Sequence, residues 1–390
     1  MLTVIWVLVG LGLAFLLSVL FLRVLSFLIY LWPDRSLRNP RDSVPPAYEL
    51  PRYFRTNSQD EADTAARWPG WDGWYFFVIP EGAGQPVKMV RASLMTGLYG
   101  LNGIDDYRKL PAGLSPFGAA EYLTLIPQEK ASDPLIHAYV PKAGLEMSLN
   151  SLKVALNGGR GRRGCVQGRW PDYRMEFQDT QVGIEFLLSY RGSNLVWWAD
   201  VPGVFTYFSA FGQFQGTLSC NGASRDVQGW GGFEHGCARK PFNFDLFFAP
   251  VRLVQKLAPA WKPLRYHYEV FVGEGGFHGG FMFARGFGAD FRNHGGFYLD
   301  GAYIPIRRVA IDYLDLAEPH GSSPGRGDVK FPRKWKVTAT TAEGALEYVA
   351  TGEWPPPRIA PNMIYHHLDL EGTYRGKPIR GSGYGEYVHM

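Results

Sequence analysis

From Trp68 to its end, the chain is cut into short runs of aromatic and β-branched residues by glycine- and asparagine-rich turns. A helical period is rarely sustained there. Strand side chains alternate between two faces, so such runs suit strands, and the turns between them suit hairpins. Asn221-Gly222 carries the clearest hairpin signal, because a type I′ turn needs positive φ at both central positions. "TAEG" between residues 334–340 and 345–351, and "RGKP" near the C-terminus, predict two more. Further strands are expected at residues 74–79, 266–272, 280–286, 296–299 and 309–316. After the N-terminal apolar run, helix is expected only at residues 56–67 and near 246–257, where Pro250 interrupts the pattern.

Composition closes off several alternatives. With 47 Gly, 26 Phe, 21 Tyr and 12 Trp among 390 residues, and only 19% charged, the chain is too rich in burial-capable side chains for disorder. Glycine without a three-residue period excludes collagen, and the missing heptads exclude a coiled coil. A net charge of +4 is too small for this length to point to nucleic acid. Cys165, Cys220 and Cys237 form no CxxC pair and show no metal-ligand spacing, so neither metal nor cofactor is expected.

The N-terminus carries a different signal. Residues 2–22 contain no charge, and a second apolar run, 24–32, follows Arg23. A helix of that length spans a bilayer core of roughly 30 Å. No basic leader or small-residue cleavage site accompanies it, so an uncleaved single-pass transmembrane anchor over residues 1–32 is expected rather than a signal peptide. Arg23, Arg35, Arg38 and Arg41 all follow the span, which places the large domain on the cytoplasmic side and makes the bilayer a partner. Five prolines then stiffen a tether and polar segment over residues 33–67.

Among chemical motifs, "LNGGRGRRG" (156–164) lacks the order of a phosphate loop and reads as a basic hairpin loop. No GxSxG, HExxH or dinucleotide glycine fingerprint is present. The most distinctive stretch is "VQGWGGFEHGCARK" (227–240), where Trp230, Phe233, Glu234, His235 and Cys237 sit among glycines. In a regular strand Glu234 and His235 point to opposite faces; a bulge would change that. Whichever of the two enters an aromatic cavity gains a shifted pKa and suits proton transfer, whereas at a strand end the pair is merely solvated. Cys237 shares a face with His235 but reads as a structural thiol. Tyr266 and Tyr268 share a face of "RYHYEVF", and His278 and His294, with Asp290 between them, are too widely spaced and lack the carboxylate pattern that would indicate a metal. Aromatic stripes this dense serve either as core or as the wall of an apolar pocket.

In "GTLSCNGASRDVQGWGGFEHG" (216–236) and "LEGTYRGKPIRGSGYGEYVHM" (370–390) the chain resembles the lipocalin-like hydroxyneurosporene synthase (carotenoid 1,2-hydratase)/AttH superfamily. Gly383, Tyr384 and Glu386 match the family's closing strand. The resemblance implies a mainly β fold of two packed antiparallel calycin-like barrels, here residues 68–240 and 241–390. It implies an elongated lipophilic substrate of isoprenoid, carotenoid-like or polyketide type, and hydro-lyase, isomerase or cyclase chemistry. Glu234 or His235 would then be the general acid/base, with Trp230, Phe233, Tyr266 and Tyr268 around the substrate. The hydratases favour an aspartate at the motif, and this chain departs from them with "FEHGCAR". A cavity that binds or transfers lipid without an acid is the alternative reading.

Overall fold

The computed structural model describes residues 72–81, 87–96, 119–125, 135–141, 145–147, 152–159, 161–169, 171–181, 183–201, 205–237, 265–286, 289–317, 330–354, 358–360 and 363–389, with seven helical positions among the first 17. Among the described residues no helix is long and apolar enough to cross a membrane. The predicted tether, the helices at 56–67 and 246–257, and most of the predicted anchor lie outside the described residues.

Eleven strands build the first sheet: β1 (Asp72–Pro80), β2 (Val90–Thr96), β3 (Ala119–Leu125), β4 (Leu135–Pro141), β5 (Leu145–Met147), β6 (Leu152–Gly159), β7 (Arg162–Arg169), β8 (Asp172–Asp179), β9 (Ile184–Val201), β10 (Phe205–Cys220) and β11 (Ala223–Cys237). The second holds β12 (Arg265–Gly273), β13 (His278–Gly286), β14 (Ala289–Leu299), β15 (Ala302–Ile306), β16 (Arg308–Ala317), β17 (Phe331–Thr340), β18 (Ala345–Gly352), β19 (Arg358–Ala360), β20 (Met363–Tyr374) and β21 (Lys377–His389). Their spatial orders are β4-β3-β2-β1-β11-β10-β9-β8-β7-β6-β5 and β15-β14-β13-β12-β21-β20-β18-β17-β16, with β19 added on β20. Each sheet is therefore a meander whose first strand pairs with its last, and all pairing is antiparallel. The architecture is coarser than two closed barrels: the sheets are curled, one a near-barrel and the other a half-barrel.

The local signals behave as their chemistry requires. Asn221 and Gly222 take φ 50° and 81° at the tip between β10 and β11, and Arg375-Gly376 (52° and 77°) turns β20 into β21. "TAEG" joins β17 to β18. "LNGGRGRRG" is mostly strand, with the turn at Gly161 (φ 78°) between β6 and β7.

Alternation along these strands sorts the apolar side chains into three main clusters. One fills the curl of the first sheet with Trp74, Phe76, Phe177, Phe186 and Phe233. Another fills the second with Phe271, Phe281, Trp335, Tyr348 and Leu370. The third lies between the sheets and includes Phe77, Ile79, Met89, Phe211, Tyr268, Val270, Tyr365 and Tyr384. Burying each such side chain stabilises by about 1.5–3 kcal/mol, so the inter-sheet cluster is a substantial part of what joins the halves.

Candidate functional site between the sheets

Register decides which side chains meet between the sheets. Residues directly opposite in antiparallel strands project to the same face. Phe77 stands opposite both Arg91 and Gly232, Tyr75 opposite Ser93 and Glu234, and Ile79 opposite Trp230. On β10, Ser209 and Phe211 join Glu234 and Gly232. From the other sheet, Tyr268 stands opposite Met282 and Glu386, and Tyr365 opposite Glu386. Gly232 is needed here: a Cβ on it would sit 1.8 Å from the tip of the Phe77 ring.

The rings make a wall. Phe77 stacks on Tyr384 at 4.6 Å and meets Tyr268 edge-on at 5.5 Å. Further along, Trp230 stacks on His278 at 3.8 Å, and His278 on Tyr298 at 4.9 Å. Trp230 is partly exposed, and it also borders a groove of about 760 Å³ lined by Tyr173, Tyr190, Phe214, Gln213 and Gln228. That volume is of ligand size, but every lining residue comes from the first sheet or the end of one of its strands, so the groove lies on that sheet and not between the two.

Within this apolar setting runs a chain of polar groups. Arg91, 2% exposed, donates from Nη2 to the Tyr365 hydroxyl at 2.5 Å and from Nε to Tyr384 at 3.2 Å. Its guanidinium also lies 3.7 Å from the Tyr365 ring centroid, a cation–π contact. Tyr384 donates to Glu386 Oε2 at 3.2 Å. Ser209 Oγ lies 3.4 Å from both Glu234 Oε1 and the Tyr268 hydroxyl, and Glu234 is 7% exposed.

Burial sets the protonation of these groups. Removal from water pushes the Glu386 carboxyl up to about 7, against the opposing pull of Arg91 and the Tyr384 hydrogen bond. Burial likewise raises Tyr268, Tyr365 and Tyr384 well above the usual phenol range; Arg91 offsets part of this for the last two. Burial works against the Arg91 charge, but Tyr365, Tyr384 and Glu386 more than compensate and keep it protonated. His278 is lowered to about 4 by burial, so it is neutral at pH 7.

A second polar array lies inside the curl of the second sheet. Glu269, fully buried, accepts from Trp335 Nε1 and Tyr348 Oη at 2.5 Å each and is 2.6 Å from His267 Nε2. Nearby, burial lowers His366 to about 3. Among the described residues no group of three or more His, Cys, Asp or Glu is placed to hold a metal ion.

The structure distributes the residues singled out from sequence over both sides of the first sheet. The register of β11 on β1 and β10 runs without a bulge from Gly229 to Cys237, so Glu234 and His235 diverge. Glu234 reaches the inter-sheet face with Trp230, Tyr266 and Tyr268. His235 turns inward and stacks on Trp74 at 4.9 Å, and Phe233 stacks on Phe76 at 5.0 Å in the first sheet's core. Sequence reasoning passed over Arg91, Ser93, Ser209 and Tyr365. The available signal was the alternation in "KMVRASL", which sets Met89, Arg91 and Ser93 on one face and Val90, Ala92 and Leu94 on the other.

No protein-family model matches the chain, and no curated protein matches its sequence. Solved structures do resemble it. CghA, alone and with a bound compound, matches with TM-score 0.51 and 12% identity over 83% of this chain and 89% of its own. Kievitone hydratase from Nectria haematococca matches with TM-score 0.51 and 10% identity over 92% of this chain and 97% of its own. An AttH protein from Nitrosomonas europaea matches at TM-score 0.48, 12% identity, over 82% of this chain and 91% of its own. Identity this low speaks to fold alone, and the conclusion rests on the first two. The chain shares the two-sheet, mainly β fold of CghA and kievitone hydratase.

Proposed function

We propose that the protein holds a lipophilic substrate between its two sheets and moves protons on it, in a hydration, isomerisation or cyclisation of an isoprenoid- or polyketide-type compound. The observation carrying this reading is the convergence of two carboxyl groups from different sheets, Glu234 and Glu386, on one aromatic face. Glu386, near pH 7 in its titration, is suited to deliver a proton to an alkene or carbonyl. Glu234 is the complementary base, coupled through Ser209 to Tyr268. Tyr268, Phe77 and Trp230 supply faces that stabilise positive charge on a substrate carbon. The likeness in fold to a protein named as a hydratase agrees with this chemistry.

The second reading is lipid binding or transfer without catalysis. It is favoured by one observation, that Arg91, Tyr365, Tyr384 and Glu386 are already hydrogen-bonded to one another as a structural network would be. We also propose that residues 1–32 anchor the chain in a bilayer with the large domain on the cytoplasmic side, so that substrate is collected from lipid. Support comes from the uncharged stretch 2–22, the arginines after it, and the exposure of Trp6, Leu13, Leu16 and Leu17 at 57–68%.

Incubation of the full chain with a lipophilic extract in D2O separates the readings. Proton transfer to carbon predicts deuterium in a recovered isoprenoid or polyketide, lost in Glu386→Gln and Glu234→Gln. Ligand recovered with no deuterium from the wild-type chain contradicts the enzyme and supports the binder.

A further inference from the structure

Beyond the carboxyl groups, the inter-sheet face contains two donors with nothing to donate to. Arg91 Nη1 and Ser93 Oγ are both buried and make no hydrogen bond, although Nε and Nη2 of the same guanidinium are satisfied. Arg91 is 2% exposed and Ser93 is 1% exposed, so bulk water is not their partner. Two residues apart on β2, they project to the same face, with Tyr75 and Phe77 opposite them on β1. Buried polar atoms are almost always paired, and an orphan donor costs about 1–3 kcal/mol.

Glu386 eases the charge without pairing with it. Among the described residues Arg91 forms no salt bridge; its partners are tyrosine hydroxyls and tyrosine rings. A buried cation with no salt-bridge partner gains from an anion brought within hydrogen-bond reach. Guanidinium is also the side chain best shaped for oxygen anions, which its remaining N–H groups reach as a fork.

We infer that Arg91 Nη1 and Ser93 Oγ form the subsite for an ionised oxygen group, a carboxylate, enolate or phenolate, on an otherwise apolar ligand. This deepens the function proposed above and rests on that same inter-sheet site. It narrows the substrate from any lipophile to a lipophilic acid, with the aromatic wall of Phe77, Tyr268 and Tyr384 taking the apolar portion. A pure hydrocarbon would leave both donors orphaned. No bond forms or breaks in this step; it is recognition and charge neutralisation.

Three probes of equal chain length test it on the full chain in detergent at pH 8: oleic acid, oleyl alcohol and 1-octadecene. The acid is expected to bind at least tenfold more tightly than the alcohol, and the hydrocarbon most weakly. Arg91→Met is expected to erase the preference for the acid, and Arg91→Lys to retain part of it. Ser93→Ala removes a hydroxyl with no partner in the protein, so it is expected to fold normally and weaken acid binding about threefold. Equal affinity for acid and alcohol in the wild-type chain overturns the inference, as does an acid preference unchanged in both Arg91→Met and Ser93→Ala. If the acid is preferred but the D2O experiment shows no exchange, the catalytic reading fails while this subsite stands. If none of the three probes binds, the inter-sheet site itself falls, and the inference with it.

Discussion

Glu269 and Glu386 lie on paired strands of one sheet, Glu269 directly opposite Gly385, yet their side chains leave on opposite faces. Facing into the curl, Glu269 is met by three groups at 2.5–2.6 Å, from His267, Trp335 and Tyr348. Facing the other sheet, Glu386 is met by one hydroxyl, that of Tyr384 at 3.2 Å. Both sit in apolar surroundings, and burial pushes the Glu386 carboxyl up to about 7. A carboxylate saturated with donors is fixed in position and serves the fold. One given few partners, beside an arginine with a spare N–H, is kept in a state that a ligand can change. The same backbone pairing thus supports a structural acid on one face and the proposed reactive acid on the other.

Substitution of each carboxylate should separate the two roles, beginning with the largest effect. Glu269→Leu strands the Trp335, Tyr348 and His267 donors in the core and is expected to cost about 3–5 kcal/mol in denaturant unfolding. A loss under 1 kcal/mol would mean that the network is not structural.

Glu386→Gln should do the reverse. Between about 4.5 and 7 the unfolded carboxyl ionises while the folded one stays protonated, so its contribution to stability is complete at low pH and lost as pH rises through 7. The glutamine variant is therefore expected to be more stable than wild type above pH 7, by about 3 kcal/mol, and equal to it below pH 4.5. Urea titrations across that range check the sign.

His366 supplies the opposing slope inside the curl. Burial lowers it to about 3, so the fold requires it neutral, and its contribution is complete above pH 6.5 and drains away as pH falls toward 3. His366→Leu should flatten the acid side of the stability profile by about 1.4 kcal/mol per pH unit while leaving the Glu386 limb intact. The smallest effect is expected at Gly222→Ala, where φ is 81° at a hairpin tip remote from both carboxylates. It should cost about 1 kcal/mol in thermal or urea unfolding with no change in ligand binding.

What could be read from the sequence divides along the same line. Hairpins at Asn221-Gly222 and Arg375-Gly376 were legible because the φ requirement is local to two residues. The divergence of Glu234 and His235 followed from strand alternation once no bulge intervened. Arg91 and Ser93 were not legible, because an arginine within an alternating strand looks like a solvent-facing residue until a second sheet covers it. Glu386 could be seen only as part of a closing motif; its hydroxyl partner Tyr384 is two residues away on the same strand, but the arginine that bonds that hydroxyl comes from β2, hundreds of residues away in the chain. Closure was overestimated for a related reason: short strands and glycine turns show that a sheet curls, not how far its edges travel.

The central claim, that the inter-sheet face takes the lipophile while the curl of the second sheet is solid core, is tested most directly by photo-crosslinking. The full chain would be loaded with a diazirine-bearing fatty acid, irradiated and mapped by mass spectrometry. Labels on Phe77, Tyr268, Trp230 or Tyr384 are predicted, reduced in Arg91→Met. Labels confined to Trp335, Tyr348 or Phe281, inside the curl, would contradict the account.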